Sequence, residues 1–373
     1  MKARQILVCA VFGAILVLFA AVLLLRPAQL VSEEERRPLA RFQTYAGWKP
    51  TGGQEKTLSG YFSQLEQVCL DQFPARQRLR GLRSFAKFHL FFQRDAGGYY
   101  DVGGSIGKID DTLSEAAVTD ALGTLQKLDA GLFAEANRYY AVIPDKNYYL
   151  AAANGYPALD YDALFSMVDA ALGGTCEKID LAPLLTAESY YNTDPHWRQE
   201  TILPVADAIL QAMDAAPLAS DVLWQTDTFS PFYGAYAGLS AIRVQPDALT
   251  LLHIPAFDDV TVYRMETNET ASVYELSDFE NVDPYDVYLG GAQALLRIEN
   301  PAQTNGRELI VLRDSFASSL MPLMIPAYSE ITLVDIRYVA PRMLEKLLTV
   351  TADTDVLYLY SATVLNSFGA FMR

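Results

Sequence analysis

The chain has 373 residues, of which 51% are hydrophobic and 20% are charged. This composition is typical of a globular protein and excludes disordered, collagen-like and disulfide-scaffold classes. With 29 Lys and Arg against 45 Asp and Glu, the formal net charge is −16. That charge argues against a nucleic-acid partner, because a duplex binder needs a basic surface. The length indicates one large domain or two smaller ones.

The N-terminal residues 1–30 predict a membrane anchor. An uncharged apolar run extends from Ile6 to Leu25, and as a helix it would span ~30 Å, the thickness of a bilayer core. Lys2 and Arg4 precede the run, so the positive-inside rule places the N-terminus in the cytoplasm and the body of the chain outside. A cleaved signal peptide is the alternative, although its apolar region usually has about 7–15 residues. Both interpretations export the rest of the chain.

Residues 31–100 predict a connector followed by a helical segment. The charged stretch 33–37 and Pro38 belong to the connector. Apolar residues then recur at helical spacing over 57–92, with a break at Phe73-Pro74. Glycine pairs at 97–98 and 103–104 predict turns on either side of a short aromatic strand.

Residues 101–373 have the pattern of an α/β domain. The sequence predicts helices at 112–137 and 164–172, strands at 139–143 and 176–181, and then strands at 309–312, 331–334 and 356–359 separated by helices from about 316 and over 341–349. Between these two series, polar and apolar residues alternate over about 240–300, which predicts a small antiparallel β insertion. The regular alternation of strand and helix favours a mostly parallel sheet covered on both faces.

One histidine has the surroundings of a general base. The chain contains three histidines, His89, His196 and His253. Asp194 lies two residues before His196 in a turn that contains Pro195, so its carboxylate can hold one imidazole nitrogen and leave the other free. A structural histidine beside Trp197 is the alternative interpretation. A metal site would need at least one more good ligand, and a chain with three histidines offers few candidates.

A second candidate is the Arg313-Asp314-Ser315 segment, which follows an apolar strand and precedes a helix. Functional groups collect beyond the carboxyl ends of strands in open α/β sheets. Backbone N–H groups at a helix start can also stabilise an oxyanion. The alternative is that Asp314 or Ser315 is simply a helix cap. Taken with the His196 motif, this segment completes a set of nucleophile, base and orienting acid.

Several blocks along residues 32–340 together resemble one known family. They are Ser32-Glu33-Glu34-Glu35-Arg36-Arg37, Asp71-Gln72-Phe73-Pro74-Ala75-Arg76, Thr193-Asp194-Pro195-His196-Trp197, Leu289-Gly290-Gly291, Val311-Leu312-Arg313-Asp314-Ser315-Phe316 and Val334-Asp335-Ile336-Arg337-Tyr338. The set resembles the DHHW family, a branch of the SGNH-hydrolase-like proteins related to alginate O-acetylation proteins. Two positions depart from the family pattern, since Pro195 replaces a histidine and Arg313 stands where many relatives have glycine.

The resemblance implies a three-layer α/β/α fold and an acyl-transfer site. By position, Ser315 is the nucleophile, His196 its base and Asp194 the partner of His196, with no cofactor or metal. The implied activity is O-acetyl transfer to a cell-surface or exported polysaccharide, with a multi-pass membrane acyltransferase as a candidate acetyl-donor partner. A carbohydrate acetyl esterase and a non-catalytic envelope scaffold stay open as alternatives. For the oxyanion and substrate contacts we predict Gly290, Gly291, Asn192 and Arg313.

Overall fold

A computed structural model describes residues 2–50 and 55–368, which form two compact units. Unit 1 comprises Met1–Gly97 with Ala237–Arg243, and unit 2 comprises Gly98–Tyr236 with Val244–Arg373. Met1 of the predicted anchor, residues 51–54 of the predicted connector and the last five residues of the predicted α/β domain lie outside the described residues.

Unit 1 is largely helical. Its elements are α1 Lys2–Leu25, β1 Val31–Ser32, β2 Arg37–Pro38, α2 Leu58–Asp71 and α3 Arg76–His89. Ala3–Leu23 in α1 has a mean hydropathy of 3.1 and no buried residues, so this helix is long and apolar enough to cross a membrane as an anchor or a signal sequence. The Thr57 hydroxyl accepts the Gly60 N–H (3.1 Å) and caps α2. The predicted break at Phe73-Pro74 separates α2 from α3.

An ion-pair cluster ties the segment after α1 to the junction of α2 and α3. Arg37 binds both carboxylate oxygens of Asp71, at 2.6 and 3.0 Å. Glu35 accepts from Arg76 and lies 2.7 Å from Arg80. Burial raises the pKa of Asp71, but the hydrogen bonds from Arg37 and from backbone outweigh it and bring that pKa to about 2. The first two sequence blocks therefore bind each other.

Unit 2 is built around a large mixed sheet. Its strands are β3 Tyr99–Val102, β4 Ser105–Lys108, β5 Asn137–Ile143, β6 Glu177–Lys178, β7 Gln225–Phe232, β8 Asp247–His253, β9 Thr261–Arg264, β10 Glu269–Ala271, β11 Leu295–Glu299, β12 Glu308–Arg313, β13 Glu330–Val334 and β14 Asp355–Ser361. Within residues 98–368, eight of them form one sheet in the order β10-β9-β11-β13-β12-β14-β5-β6. The strands from β13 to β6 are parallel to one another.

Helices cover both faces of this sheet. The helices of unit 2 are α4 Glu115–Ala130, α5 Lys146–Leu150, α6 Tyr161–Leu172, α7 Leu203–Ala212, α9 Ala317–Met324, α10 Pro341–Leu347 and α11 Ala362–Ser367. The short helix α8 Ala235–Ser240 begins in unit 2, and its residues from Ala237 belong to unit 1. Leu309 and Val311 of β12 pack into the hydrophobic cluster that contains α7 and α9 residues. Ile310 and Leu312 of the same strand pack into the cluster that contains α4 and α6 residues. The predicted three-layer α/β/α fold with a mostly parallel sheet is confirmed.

The predicted antiparallel strands of 240–300 are divided between two sheets. β9, β10 and β11 extend the central sheet beyond β13, with β11 antiparallel to β13. β8 instead pairs with β7 in a separate ribbon. An uncovered edge of β13 would leave backbone groups unpaired, and the pairing with β11 satisfies them. The alternating pattern predicts strands, but it does not say which neighbour each strand joins.

Candidate active site

Ser315, His196 and Asp194 form one hydrogen-bonded chain. The Ser315 hydroxyl, just past the carboxyl end of β12, lies 2.8 Å from Nε2 of His196. Nδ1 of His196 lies 2.6 Å from Oδ1 of Asp194. The structure therefore brings together the three side chains that the sequence named as nucleophile, base and acid, although Ser315 and His196 are 119 residues apart. This is the arrangement that activates a serine hydroxyl for acyl transfer.

The Asp194 carboxylate is held on both oxygens. Its side chain is fully buried. Oδ2 accepts the Ala235 N–H (2.7 Å), and Oδ1 also accepts the backbone N–H of His196 (3.1 Å). A buried carboxylate acts as an acceptor, so it assigns the proton of the imidazole to Nδ1. Nε2 is then left as the acceptor for the Ser315 hydroxyl proton.

Aromatic rings fix the plane of the His196 imidazole. Tyr285 stacks on it with ring centroids 3.9 Å apart and planes 6° apart, and Phe316 lies 4.8 Å away at 58°. The Tyr285 hydroxyl donates to Ser319 Oγ (2.8 Å), which also accepts from Trp197 Nε1 (2.9 Å). The base is thereby kept in one orientation. Sequence reasoning missed Tyr285, because a lone aromatic residue in an irregular stretch has the pattern of an ordinary core residue.

Asp314 shapes the turn that carries Ser315. Its buried carboxylate accepts the Phe316 N–H (3.0 Å) and the Ser361 N–H at the end of β14 (2.7 Å). Helix α9 begins at Ala317, and the bond to the Phe316 N–H makes Asp314 the cap of the turn that leads into it. The Ser315 hydroxyl is not a cap and bonds His196 instead. Within the described chain, no group accepts the backbone N–H of Ser315. That N–H is therefore available to an oxyanion formed at the serine.

Asp247 holds the backbone of the loop that precedes His196. Its Oδ1 accepts from the backbone and side chain of Asn192 (3.0 and 3.1 Å) and from Arg198 (3.0 Å). Its Oδ2 accepts from the backbone and hydroxyl of Thr193 (2.8 and 2.6 Å). The Gly234 N–H in turn donates to the Thr193 hydroxyl (2.9 Å). Five hydrogen bonds to one buried carboxylate therefore fix the residues next to Asp194.

Lys146 holds the same loop from the other side. Its ammonium donates to the carbonyls of Ile106 (2.7 Å), Tyr191 (2.7 Å) and Asn192 (3.1 Å). The ring of Tyr236 lies 5.3 Å away. Burial lowers the pKa of Lys146 to about 7, with nearby carboxylates acting in the opposite direction. Neither Asp247 nor Lys146 was identified from the sequence, since a single charged residue beside a strand end carries no pattern.

The residues predicted for oxyanion and substrate contacts occupy different surroundings. Arg313 is fully buried and donates to the Gln293 carbonyl at 3.5 Å, and its contact with substrate stays a prediction. Its long side chain fills interior space that a glycine would leave empty. The Asn192 amide is bound to Asp247. The Gly291 N–H donates to the Tyr288 carbonyl (3.2 Å). The described hydrogen bonds do not connect any of these residues to Ser315.

Gly290 and Gly291 have a conformational reason for being glycine. Their φ angles are +70° and +75°, a region that side chains with a Cβ rarely adopt. A Cβ at Gly290 would lie 2.0 Å from the Arg264 guanidinium, and one at Gly291 would lie 2.2 Å from the Asp286 carboxylate. The Leu289-Gly290-Gly291 block thus forms a tight turn, and its role as an oxyanion donor stays a prediction.

Comparison with known proteins agrees with this architecture. The DHHW protein family model matches residues 163–334, a span that includes Asp194 and Ser315. No curated protein sequence matches the chain. The predicted relationship to the DHHW family is confirmed.

Three solved structures match the chain at low sequence identity, and the two with TM-scores above 0.5 show a shared fold. A DHHW family protein from Eubacterium siraeum aligns with a TM-score of 0.56 and 22% identity, over 72% of this chain and 91% of that chain. PatB1 of Bacillus cereus aligns with a TM-score of 0.57 and 15% identity, over 72% and 96%. The O-acetyltransferase domain of Pseudomonas putida AlgJ aligns with a TM-score of 0.41 and 15% identity, over 68% and 84%.

Proposed function

We propose that this protein is a membrane-anchored, serine-dependent O-acetyltransferase that acts on a cell-surface or exported polysaccharide. The observation that carries the proposal is the hydrogen-bonded chain from Asp194 through His196 to Ser315. The likeness to the DHHW family and to the related O-acetylation proteins supports acetyl as the group transferred and a polysaccharide hydroxyl as the acceptor. The apolar helix α1 and the basic residues before it support a body outside the cytoplasmic membrane.

The first half of the reaction acetylates the enzyme. Nε2 of His196 takes the hydroxyl proton of Ser315 while Oγ attacks the carbonyl carbon of an acetyl donor. Asp194 stabilises the imidazolium that forms. The Ser315 N–H supplies one hydrogen bond to the tetrahedral oxyanion. When the intermediate collapses, the donor's oxygen or sulfur leaves with the proton from His196, and an acetyl-serine ester remains.

The second half transfers the acetyl group. A sugar hydroxyl gives its proton to Nε2 of His196 and attacks the acetyl-serine carbonyl. A second tetrahedral intermediate forms at the same position, and its collapse returns the proton to Oγ of Ser315. The acceptor leaves as an acetyl ester and the free serine is restored. Water in place of the sugar would release acetate, so the acceptor alone separates a transferase from an esterase.

The test uses the full chain in detergent with a chromogenic acetyl ester and an oligosaccharide acceptor. Wild type should cleave the ester, gain the mass of one acetyl group on the peptide containing Ser315 and form acetylated sugar. Ser315→Ala should lose all three signals because it has no nucleophile. Ser220→Ala, at an exposed serine in the same unit, is the matched control and should behave as wild type. Cleavage and transfer at wild-type rates by Ser315→Ala would refute the proposal, and acetate release without sugar product would convert it to an esterase.

A further inference from the structure

Helix α3 presents apolar side chains to solvent. Leu79, Leu82 and Phe85 are exposed on one side of the helix, and Leu82 keeps 59% of its surface accessible. The opposite side carries Gly81 and Ser84, which are the buried residues of the helix. The chain just past the helix continues the apolar surface with Leu90, Phe91 and Phe92, the last of them 82% exposed. A surface of this kind on a soluble body usually marks a site of interaction.

Basic side chains surround this apolar surface. Residues 76–94 contain six Lys and Arg and no Asp or Glu, in a chain whose net charge is −16. Arg76 and Arg80 face inward to Glu35. Arg78, Arg83 and Arg94 are exposed. Helices that lie in the interface of an anionic bilayer have this composition, with leucine and phenylalanine on the apolar face and arginine or lysine beside it.

Contacts within unit 1 place α3 beside the end of α1. The Phe73 ring, between α2 and α3, stacks on Phe19 of α1 with centroids 5.1 Å apart. Phe19 lies six residues before Leu25, which corresponds to about 9 Å along the helix. If α1 spans the bilayer, the start of α3 is therefore close to the headgroup level.

The chain that leaves α1 gives the same placement. The Gln29 backbone exchanges two hydrogen bonds of 2.9 Å with the Gln72 side chain. Arg26, directly after α1, and Arg78 of α3 line one cavity of about 340 Å³. Continuity with the membrane-spanning helix and the basic charge together select a lipid surface as the occupant of this face.

We propose that α3 and residues 90–92 dock onto the surface of the membrane that α1 spans. Leu82, Phe85 and Phe92 enter the boundary between headgroups and acyl chains, and Arg78 and Arg83 bind anionic phosphate groups of the lipids. The proposal rests on the anchor role given to α1 in the proposed function and is independent of the acetyl-transfer chemistry.

The experiment measures how close α3 is to lipid in the full chain. In a Cys9→Ser, Cys69→Ser background, Leu82→Cys is labelled with bimane and the protein is placed in nanodiscs of phosphatidylcholine and phosphatidylglycerol that contain nitroxide-labelled lipid. Leu223→Cys, at a 92% exposed position in unit 2, is the matched label control. The nitroxide should quench the label at 82 strongly and the label at 223 weakly.

Charge reversal tests the electrostatic part of the proposal. Arg78→Glu with Arg83→Glu should reduce the quenching at position 82 by about twofold or more, since each basic residue near an anionic surface strengthens its binding several-fold. Arg342→Glu with Lys346→Glu, two exposed positions of α10, should leave the quenching unchanged. Phosphatidylcholine-only discs should resemble the α3 charge reversal.

Three results would overturn the proposal. The first is equal quenching of the labels at 82 and 223, and the second is quenching at 82 that is unchanged by Arg78→Glu with Arg83→Glu. The third is a change in bimane emission that occurs only with two protein copies per disc, which would assign the face to self-association. The signal depends on lipid proximity and not on turnover. If the protein had no turnover but the label on α3 was quenched, the acetyl-transfer function would be contradicted and the docking of α3 on the membrane would stand.

Discussion

Replacing Asp247 by asparagine should disorder the loop that carries Asp194 and His196. The carboxylate accepts five hydrogen bonds, three on Oδ1 and two on Oδ2. An asparagine can offer its single oxygen to one group of donors only, and its NH₂ must then face the other group. With the oxygen on the Oδ1 side, the NH₂ faces the backbone N–H and hydroxyl of Thr193. The hydroxyl can rotate to accept, but the buried backbone N–H cannot.

The size of the effect follows from these partners. A buried N–H without an acceptor costs about 1–3 kcal/mol, and each remaining bond to a neutral oxygen is about 1 kcal/mol weaker than one to a carboxylate. Arg198 also loses its counter-charge. One unsatisfied N–H and three weakened bonds together give about 4–6 kcal/mol, by which we expect Asp247→Asn to lower the free energy of unfolding of unit 2. A displacement of the base by about 1 Å should reduce kcat about 100-fold.

Denaturant unfolding in detergent and ester turnover would measure both effects. A Trp48→Phe background leaves Trp197 and Trp224 as reporters within unit 2. Asp227→Asn is the matched control, because that carboxylate is 59% exposed and its partner is His253 at 3.1 Å. Such a surface pair contributes about 0–1 kcal/mol. If Asp247→Asn unfolded within about 1 kcal/mol of wild type and kept its turnover, the assigned role of Asp247 would be refuted.

Three further predictions test other contacts. Gly234→Ala would place a Cβ 2.2 Å from the Asp194 side chain and should lower ester turnover at least tenfold by moving the acid, whereas Gly123→Ala, in open space on α4, should leave turnover unchanged. Burial lowers the pKa of Lys146 to about 7, from 10.5 in the unfolded chain, so between these values the unfolded chain holds a proton that the folded chain lacks. Relative to Lys146→Met, wild type should therefore gain about 1.4 kcal/mol of stability for each unit by which the pH rises between 7 and 9. Equal slopes of stability against pH in urea titrations of the two proteins would contradict this. Hydrogen bonds lower the pKa of Asp71 to about 2, so the ionised carboxylate should add about 2 kcal/mol to the free energy of unfolding above pH 4. This stabilisation should be lost as the pH falls through 2. The free energies of unfolding of wild type and Asp71→Asn should therefore converge in acid.

Local sequence patterns determined the elements of this protein and the identity of its reactive groups. An apolar run of bilayer length predicts α1, and Pro74 predicts the break between α2 and α3, because both depend on neighbouring residues alone. The same holds for Asp194 and His196, which are two residues apart on one turn. Ser315 follows an apolar strand, so the sequence could place it at the edge of a sheet. Its distance of 2.8 Å from His196 is a property of the folded chain.

Tertiary structure alone decided which residues support that site. Asp247, Lys146 and Tyr285 are each about 50 to 90 residues from His196 along the chain, and nothing in their neighbouring residues records that they meet it. Burial of Arg313 and the joining of β9–β11 to the central sheet have the same cause. Hydrophobic periodicity reports that a face is covered. It carries no information about which distant segment covers it, since many apolar faces have similar composition and the choice is made by packing of the whole domain.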